Sequence, residues 1–480
     1  MTTAQPELFS VEDAENLTTK QIHGLYRGHV NRSQVSLMTS FGFGRERVER
    51  AEGAYIYEHG GKRILDFTGG VGVLSHGHNH PRILAARRRF QEQQRMEVHK
   101  TYFSPYVAAL GHNLAQLLPG DLNLSFFPNS GAEAVEGAVK LAYKYHGGRR
   151  TKVMRADISF HGKLLGSGSL TGQSQETFRF PGIDGVLTFP YGDLEAVRRH
   201  VAEARTAGGE SDVYALLIEP LSASTMNHCS EEFLRGLRDL CTRESIVLIF
   251  DEIYTGWGKT GTLFYFMRHE GLVPDVVTTS KSFGGGKSSI SAYVASERIF
   301  RKAYDNMTDA LLQSTSTTYY GFGEEAATAI EAVNIAVEDD YPARARAIDR
   351  ILAPGLERIA KEHSDSVAEV RGTGALHGVF LREGPKLLEL AAKLAPGGLA
   401  RDPRFRTKLI TSSVVSAMYR DHGIYSYYTL NGSNPLMVAP PLIVENHEVE
   451  HFLECLDSTL AKGLPRLLTR FVQEKVASLW

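Results

Sequence analysis

Three groups able to cooperate in one reaction each stand at the end of an apolar run. Lys281 closes Val276-Val277-Thr278-Thr279-Ser280-Lys281 and is followed by Ser282-Phe283 and the glycines Gly284, Gly285 and Gly286. Asp251 closes Ile246-Val247-Leu248-Ile249-Phe250-Asp251, and Phe126-Phe127-Pro128-Asn129-Ser130-Gly131-Ala132 opens a helical pattern. A lysine amine can form an imine with an aldehyde. A carboxylate buried behind five apolar residues needs a cationic partner, and a protonated pyridine nitrogen is one. Free amides at a helix start suit a phosphate dianion. Together these are the requirements of a pyridoxal phosphate site. Singly, each has a plainer reading: a solvated lysine, an acidic helix cap or Mg²⁺ ligand at Asp251-Glu252, an ordinary Ser-Gly cap at 130–131. The combination carries the assignment.

Two further groups fall at comparable places. Glu219 follows the apolar stretch 213–218, and Phe160-His161-Gly162 follows 152–156, where an aromatic face can meet a cofactor ring. Gly258-Lys259-Thr260 looks like the end of a phosphate-binding loop, but that motif needs glycine where Ile253 stands, so the reading fails.

The elements that must position these groups alternate in type. Strands are expected at 152–156, 213–218, 246–250 and 275–279, with amphipathic helices at 133–145, 193–204 and 231–243 between them. That alternation predicts an α/β domain with a mostly parallel sheet, whose ligands bind beyond the carboxyl ends of the strands. Before it come a lead-in up to about Glu12, a helix from Thr18 to about Met38, and a strand pair, 53–57 and 63–67, around Gly60-Gly61. After it, helices at 342–363 and 402–422 flank strands at 376–381 and 435–438, a smaller α+β arrangement. The expected division is residues 1–75 joining the small domain, 76–335 forming the large cofactor-binding domain, and 336–480 forming the small one.

Composition narrows the classes. The 480 residues are 42% hydrophobic and 22% charged, with a net charge of −2, which gives no footprint for nucleic acid or an anionic membrane. No apolar stretch approaches spanning length, and the acidic N-terminus is not a signal peptide. Cys229, Cys241 and Cys455 show neither a disulfide framework nor metal-ligand spacing, so no metal and a cytoplasmic location are expected.

The stretches FFPNSGAEAVEGAVKLA, SFHGKLLGSGSLTG, LIEP, LIFDEIYTGWGKTGTLF, SKSFGGG and APPLIV, in this order, resemble the class III (ω-amino group) aminotransferases of the fold type I pyridoxal phosphate enzymes. The similarity runs from about Gly53 to Val444, with patterns similar to those of putrescine and ornithine aminotransferases. The resemblance implies a homodimer with shared active sites, a small-molecule amine donor and a carbonyl acceptor. By position it makes Lys281 the Schiff-base lysine and proton carrier, and Asp251 the partner of the ring nitrogen. Phe160 stacks on the ring beside His161 and Glu219. Ser130, Gly131 and Ala132 bind the phosphate with Thr318 of the neighbouring subunit, from STTYYG.

The departures bear on the substrate. Tyr254 stands where the family has a glutamine touching the cofactor's 3′ oxygen. Met437 and Ser224 stand where many members carry a carboxylate-binding arginine and its glutamate partner, and Val71 replaces a substrate-contacting tyrosine. GFG follows Thr318 where the family has GNP. Losing both halves of a charge pair leaves no buried charge unpaired. The expected substrate is therefore an amine lacking a carboxylate near the reacting carbon. An α,ω-diamino acid held by Lys163 and Tyr55 is the alternative. A decarboxylase, aminomutase or racemase would use the same cofactor site.

Overall fold

In the computed structural model, residues 8–172, 181–314, 317–384, 387, 389–390, 403–429 and 434–477 are described. Fifteen strands lie among them. β1 (Val48–Glu52), β2 (Tyr55–Glu58) and β3 (Arg63–Asp66) come first; β4 (Leu122–Phe126), β5 (Lys152–Ala156), β6 (Val186–Phe189) and β7 (Val213–Ile218) follow. Next are β8 (Val247–Asp251), β9 (Val276–Thr279), β10 (Ala292–Ser296), β11 (Val367–Thr373) and β12 (Leu376–Leu381). β13 (Ile424–Tyr425), β14 (Tyr427–Tyr428) and β15 (Leu436–Val438) complete the set.

Seven strands form the central sheet in the order β4-β10-β9-β8-β7-β5-β6. β9, β8, β7, β5 and β6 are parallel neighbours, and β10 runs antiparallel to both β9 and β4. β7, β8 and β9 are buried at every residue, as strands covered on both faces must be. Their side chains divide by alternation. Ala215, Leu217, Val247 and Ile249 pack with Val135, Ala138 and Leu141 of the helix Gly131–Tyr145. Leu216, Ile218, Leu248 and Phe250 join Phe233, Leu234 and Leu237 of the helix Glu231–Arg243. The two sandwiching layers fix the strands, and so the residues at their ends.

Two smaller sheets flank this core. One has the order β1-β2-β3-β13, with β13 parallel to β3 and Leu65 paired to Ile424. The other has the order β11-β12-β15-β14. The sequence expectations differ from the structure at the N-terminus and in several strands. The single helix expected from Thr18 to Met38 is two, Thr19–His29 and Arg32–Phe41. Val30 leaves helical geometry (φ −121°, ψ −79°), and Asn31 caps the second helix by accepting from the Gln34 amide at 3.1 Å. A short helix, Val11–Glu15, lies where a lead-in was expected; residues 1–7 lie outside the described ones. β1, β4, β6, β10, β11, β13 and β14 were not foreseen; of these, neither Val-Glu-Arg-Ala-Glu of β1 nor Val-Ala-Glu-Val-Arg-Gly-Thr of β11 has a buried face that alternates cleanly. No described helix is long and apolar enough to cross a membrane.

Candidate active site

A cavity of about 590 Å³ opens at the carboxyl ends of the central strands. β9 delivers Lys281. Ser280 is still extended, Lys281 turns left-handed at φ 49°, and a tight turn runs on to Gly284. A left-handed non-glycine residue costs ~1–2 kcal/mol and persists where its surroundings over-determine it. Here the Ser282 hydroxyl bonds Gly72 O at 2.8 Å and Ser75 Oγ at 2.6 Å, while Ser280 Oγ donates to Ile290 O at 3.2 Å. The amine that results projects over the Tyr254 ring, 3.8 Å from its centroid. Burial lowers the Lys281 amine to about 8, and Asp251 and Glu219 oppose that shift.

β8 delivers Asp251, which is buried. Its Oδ2 lies 2.7 Å from His161 Nδ1, and Oδ1 accepts from the Ile253 amide at 3.0 Å. Each oxygen keeps a lone pair for a further donor in the cavity. β7 delivers Glu219, whose oxygens accept from the Phe160 amide at 2.8 Å and the Ala223 amide at 3.2 Å. Glu219 thereby ties the loop after β5, carrying Phe160 and His161, to the loop after its own strand. Burial pushes its carboxyl up to about 7, Asp251 adds to the shift, and His161 and the two amides oppose it. Thr171 Oγ1 accepts from the His161 amide at 2.9 Å and donates to Gly162 O at 2.8 Å, closing the same loop.

Beyond β4, Ser130 caps the helix Gly131–Tyr145. Its hydroxyl accepts from the Glu133 amide at 3.3 Å, and the Glu133 carboxylate accepts from the Asn129 amide at 3.1 Å. The first amides of that helix have no helical acceptor, so those of Gly131 and Ala132 are free for an anion. A Cβ on Gly131 would come within 2.9 Å of Ile253 Cδ1, so any larger residue there must displace the Ile253 side chain.

Of the residues expected from sequence, Lys281, Asp251, Glu219, Phe160, His161, Gly131, Ala132, Tyr254, Val71, Lys163 and Ser224 line this cavity. Ser130 acts only as the cap and is exposed. Tyr55 does not line it: its phenol is engaged by Glu448, Arg63 lies 4.3 Å over its ring, and burial with Glu448 raises it to about 12. Met437 is fully buried in β15 and packs with Leu221, Tyr254 and Leu376 behind the wall. Thr318 is exposed and away from the cavity. Gly162, Ala223, Ile253 and Ser280 from the same loops, and Tyr427, Tyr428 and Thr429, which sequence reasoning missed, complete the lining. The Tyr254 hydroxyl hydrogen-bonds that of Tyr427, so it points across the cleft.

A sequence model described as aminotransferase class-III matches residues 44–460. The chain belongs to that family. Among solved structures, this aminotransferase is similar to the ornithine aminotransferase of Toxoplasma gondii ME49, with 21% identity, TM-score 0.77, and 94% of this chain and 97% of that one covered. A transaminase from the marine bacterium Virgibacillus matches at 21% identity and TM-score 0.77, covering 94% of this chain and 99% of its own. The acetylornithine aminotransferase of Elizabethkingia anophelis matches at 20% identity and TM-score 0.70, covering 93% and 100%. These likenesses establish the fold type I architecture, and the family uses pyridoxal 5′-phosphate.

The residues present fit that cofactor. His161 Nε2 is buried without a protein partner among the described residues, on a ring already committed to Asp251. When bound, the cofactor supplies an electrophilic aldehyde and an electron-withdrawing ring. The chain can hold its nitrogen at Asp251, its face at Phe160 and its phosphate at the amides of Gly131 and Ala132. A Lys281 amine near 8 is uncharged in an appreciable fraction at neutral pH, so it can both attack a carbonyl and accept a proton. His161 orients Asp251 through its Nδ1 contact.

Proposed function

We propose that the enzyme moves an amino group between a primary amine with an apolar or neutral far end and a carbonyl acceptor. Lys281 acts as covalent and proton-carrying residue, and Asp251 holds the ring nitrogen. The observation that carries the substrate reading is the composition of the wall. Val71, Ala223, Ile253, Tyr254, Tyr427 and Tyr428 line the cavity into which Lys281 projects, and the described lining residues include no arginine. Ser224 lines the cavity without a carboxylate, and Met437 fills the arginine's place from behind it. Each methylene buried against such a wall adds ~0.8 kcal/mol, a few-fold in specificity per carbon.

One observation favours the α,ω-diamino acid reading. Lys163 is exposed at the cavity, with its Nζ 5.9 Å from the Phe160 ring, where it can reach a distal carboxylate. The engagement of Tyr55 by Glu448 removes the second half of that clamp. The relatives named as ornithine and acetylornithine aminotransferases keep this reading as the alternative. Comparing kcat/KM for a monoamine series, a diamine series and ornithine tests the choice. Monoamines rising with chain length support the apolar wall; ornithine exceeding every carboxylate-free amine by tenfold overturns it.

A homodimer is part of the same reading. Thr318 is exposed, as a phosphate ligand offered to a neighbour must be. The division near residues 75 and 335 is supported by the pairing of β3 with β13, which joins the N-terminal strands to the C-terminal part. A cytoplasmic location accords with three cysteines that are all free and buried.

A further inference from the structure

The Tyr254 ring lies beneath the Lys281 amine, and three contacts define its place. The amine sits 3.8 Å above its centroid. Gly72 approaches so closely that a Cβ there would fall 2.9 Å from Cζ of the ring. The hydroxyl hydrogen-bonds Tyr427, which belongs to the opposite sheet and pairs with Met437. Tyr254 is buried and Tyr427 is half-buried. The family glutamine that Tyr254 replaces would offer an amide donor; here the amine meets an aromatic face instead, and the phenol is turned towards Tyr427.

We propose that Tyr427 is a positioning residue of the reaction, its phenol holding the Tyr254 ring under the Lys281 amine. A cation over an aromatic face is stabilised by the ring's quadrupole, and the benefit depends on the ring staying in place. Gly72 limits the ring from one side but gives it no directional contact. The Tyr427 hydroxyl supplies that direction from β14, across the cleft. The charged or titratable groups around the pair are Asp251 and Glu219 at the neighbouring strand ends, His161 and Lys163 on the cavity wall, Lys259 in the loop after β8, and Asp66 at the end of β3. Removing one hydroxyl changes none of them.

The proposal rests on Lys281 being the reacting amine, which loss of the visible absorbance band in Lys281→Ala checks separately. The test is the pH midpoint of that band in the holoenzymes of wild type, Tyr427→Phe, Tyr254→Phe and the double variant, with melting temperatures alongside. Less stabilisation of a cation at the Lys281 nitrogen lowers the midpoint, on the order of half to one pH unit. Tyr427→Phe is expected to show this drop with a nearly unchanged melting temperature and a kcat loss larger than any change in KM. Tyr254→Phe is expected to match it, and the double variant to drop no further, because the two hydroxyls act as one unit. An unchanged or raised midpoint in Tyr427→Phe overturns the proposal, and so do shifts that add in the double variant.

Discussion

The strand ends of the central sheet and the wall facing them across the cavity are built on different rules. At the strand ends, Glu219, Asp251 and Lys281 each follow a run of buried apolar residues whose two faces are packed by helices. Their positions are fixed by register, and a slip of one residue would turn an entire strand inside out. The facing wall comes from β14, two residues long, whose place depends on pairing Tyr427 with Met437 and on a phenol bond to Tyr254. The proposed chemistry thus rests on strands buried on both faces, and the proposed substrate shape on a strand of two residues.

The largest expected effect breaks the first side of that contrast. Lys281→Ala should lose transamination by at least the ~10²–10⁴-fold that general acid–base catalysis supplies, while cofactor still binds without covalent attachment. Turnover within tenfold of wild type, measured with any accepted amine, would remove Lys281 from the centre. Asp251→Asn comes next. A neutral amide cannot hold a protonated ring nitrogen, so solvent deuterium exchange at the substrate's Cα should slow by roughly a hundredfold, ~2.7 kcal/mol of barrier. Exchange at the wild-type rate would mean that another group faces the nitrogen.

The other side is sharpened by Tyr428→Ala. Enlarging the wall should shift the optimum of a monoamine series towards bulkier amines by several-fold in kcat/KM and leave ornithine no better. A uniform loss across the series would make Tyr428 part of the scaffold instead.

The smallest effect separates burial from function. Lys259 is fully buried, its Nζ has no partner among the described residues, and burial with the nearby Lys281 lowers it to about 7. Its ordinary value is 10.5, so between pH 10.5 and 7 the unfolded chain binds a proton that the folded chain does not. Stability therefore falls as pH drops through that window and levels off below 7. Lys259→Met should raise the unfolding free energy by ~1–3 kcal/mol near pH 7, with the gain closing towards pH 10.5. Denaturant melts at both pH values check it. A loss of stability at pH 7 would show that the amine has a partner when cofactor is bound.

The strand ends were legible because apolar runs, acidic or basic terminal residues and glycines leave a local record. β5, β7, the helix Glu231–Arg243 and β12 fall where their patterns put them. The wall left no such record. Tyr427-Tyr428-Thr429 in Ile-Tyr-Ser-Tyr-Tyr-Thr has no period, and what brings it to the cavity is the pairing of β14 with β15. The carried-over positions of Tyr55 and Met437 point to the right neighbourhood, but not to whether a side chain faces the cavity. That depends on Glu448 for one and on Tyr254 and Leu376 for the other. Lys259, dismissed as a failed phosphate loop, carries no sequence mark of its burial.

The parallel pairing of β3 with β13 has a consequence for how the chain is made. Leu65 leaves the ribosome long before its strand partner, Ile424, some 360 residues further along, has been made. The central sheet, whose strands all lie between Leu122 and Ser296, can assemble first, while the hairpin of β2 and β3 waits with one edge unpaired. Asp66, at the end of β3, anchors the turn carrying Thr68 and Gly69 through bonds of 2.7 to 3.1 Å, and that turn leads to Val71 and Gly72 at the cavity. The strand ends can thus be in place before the turn carrying Val71 and Gly72 is held, because that turn is fixed only when β13 docks on β3.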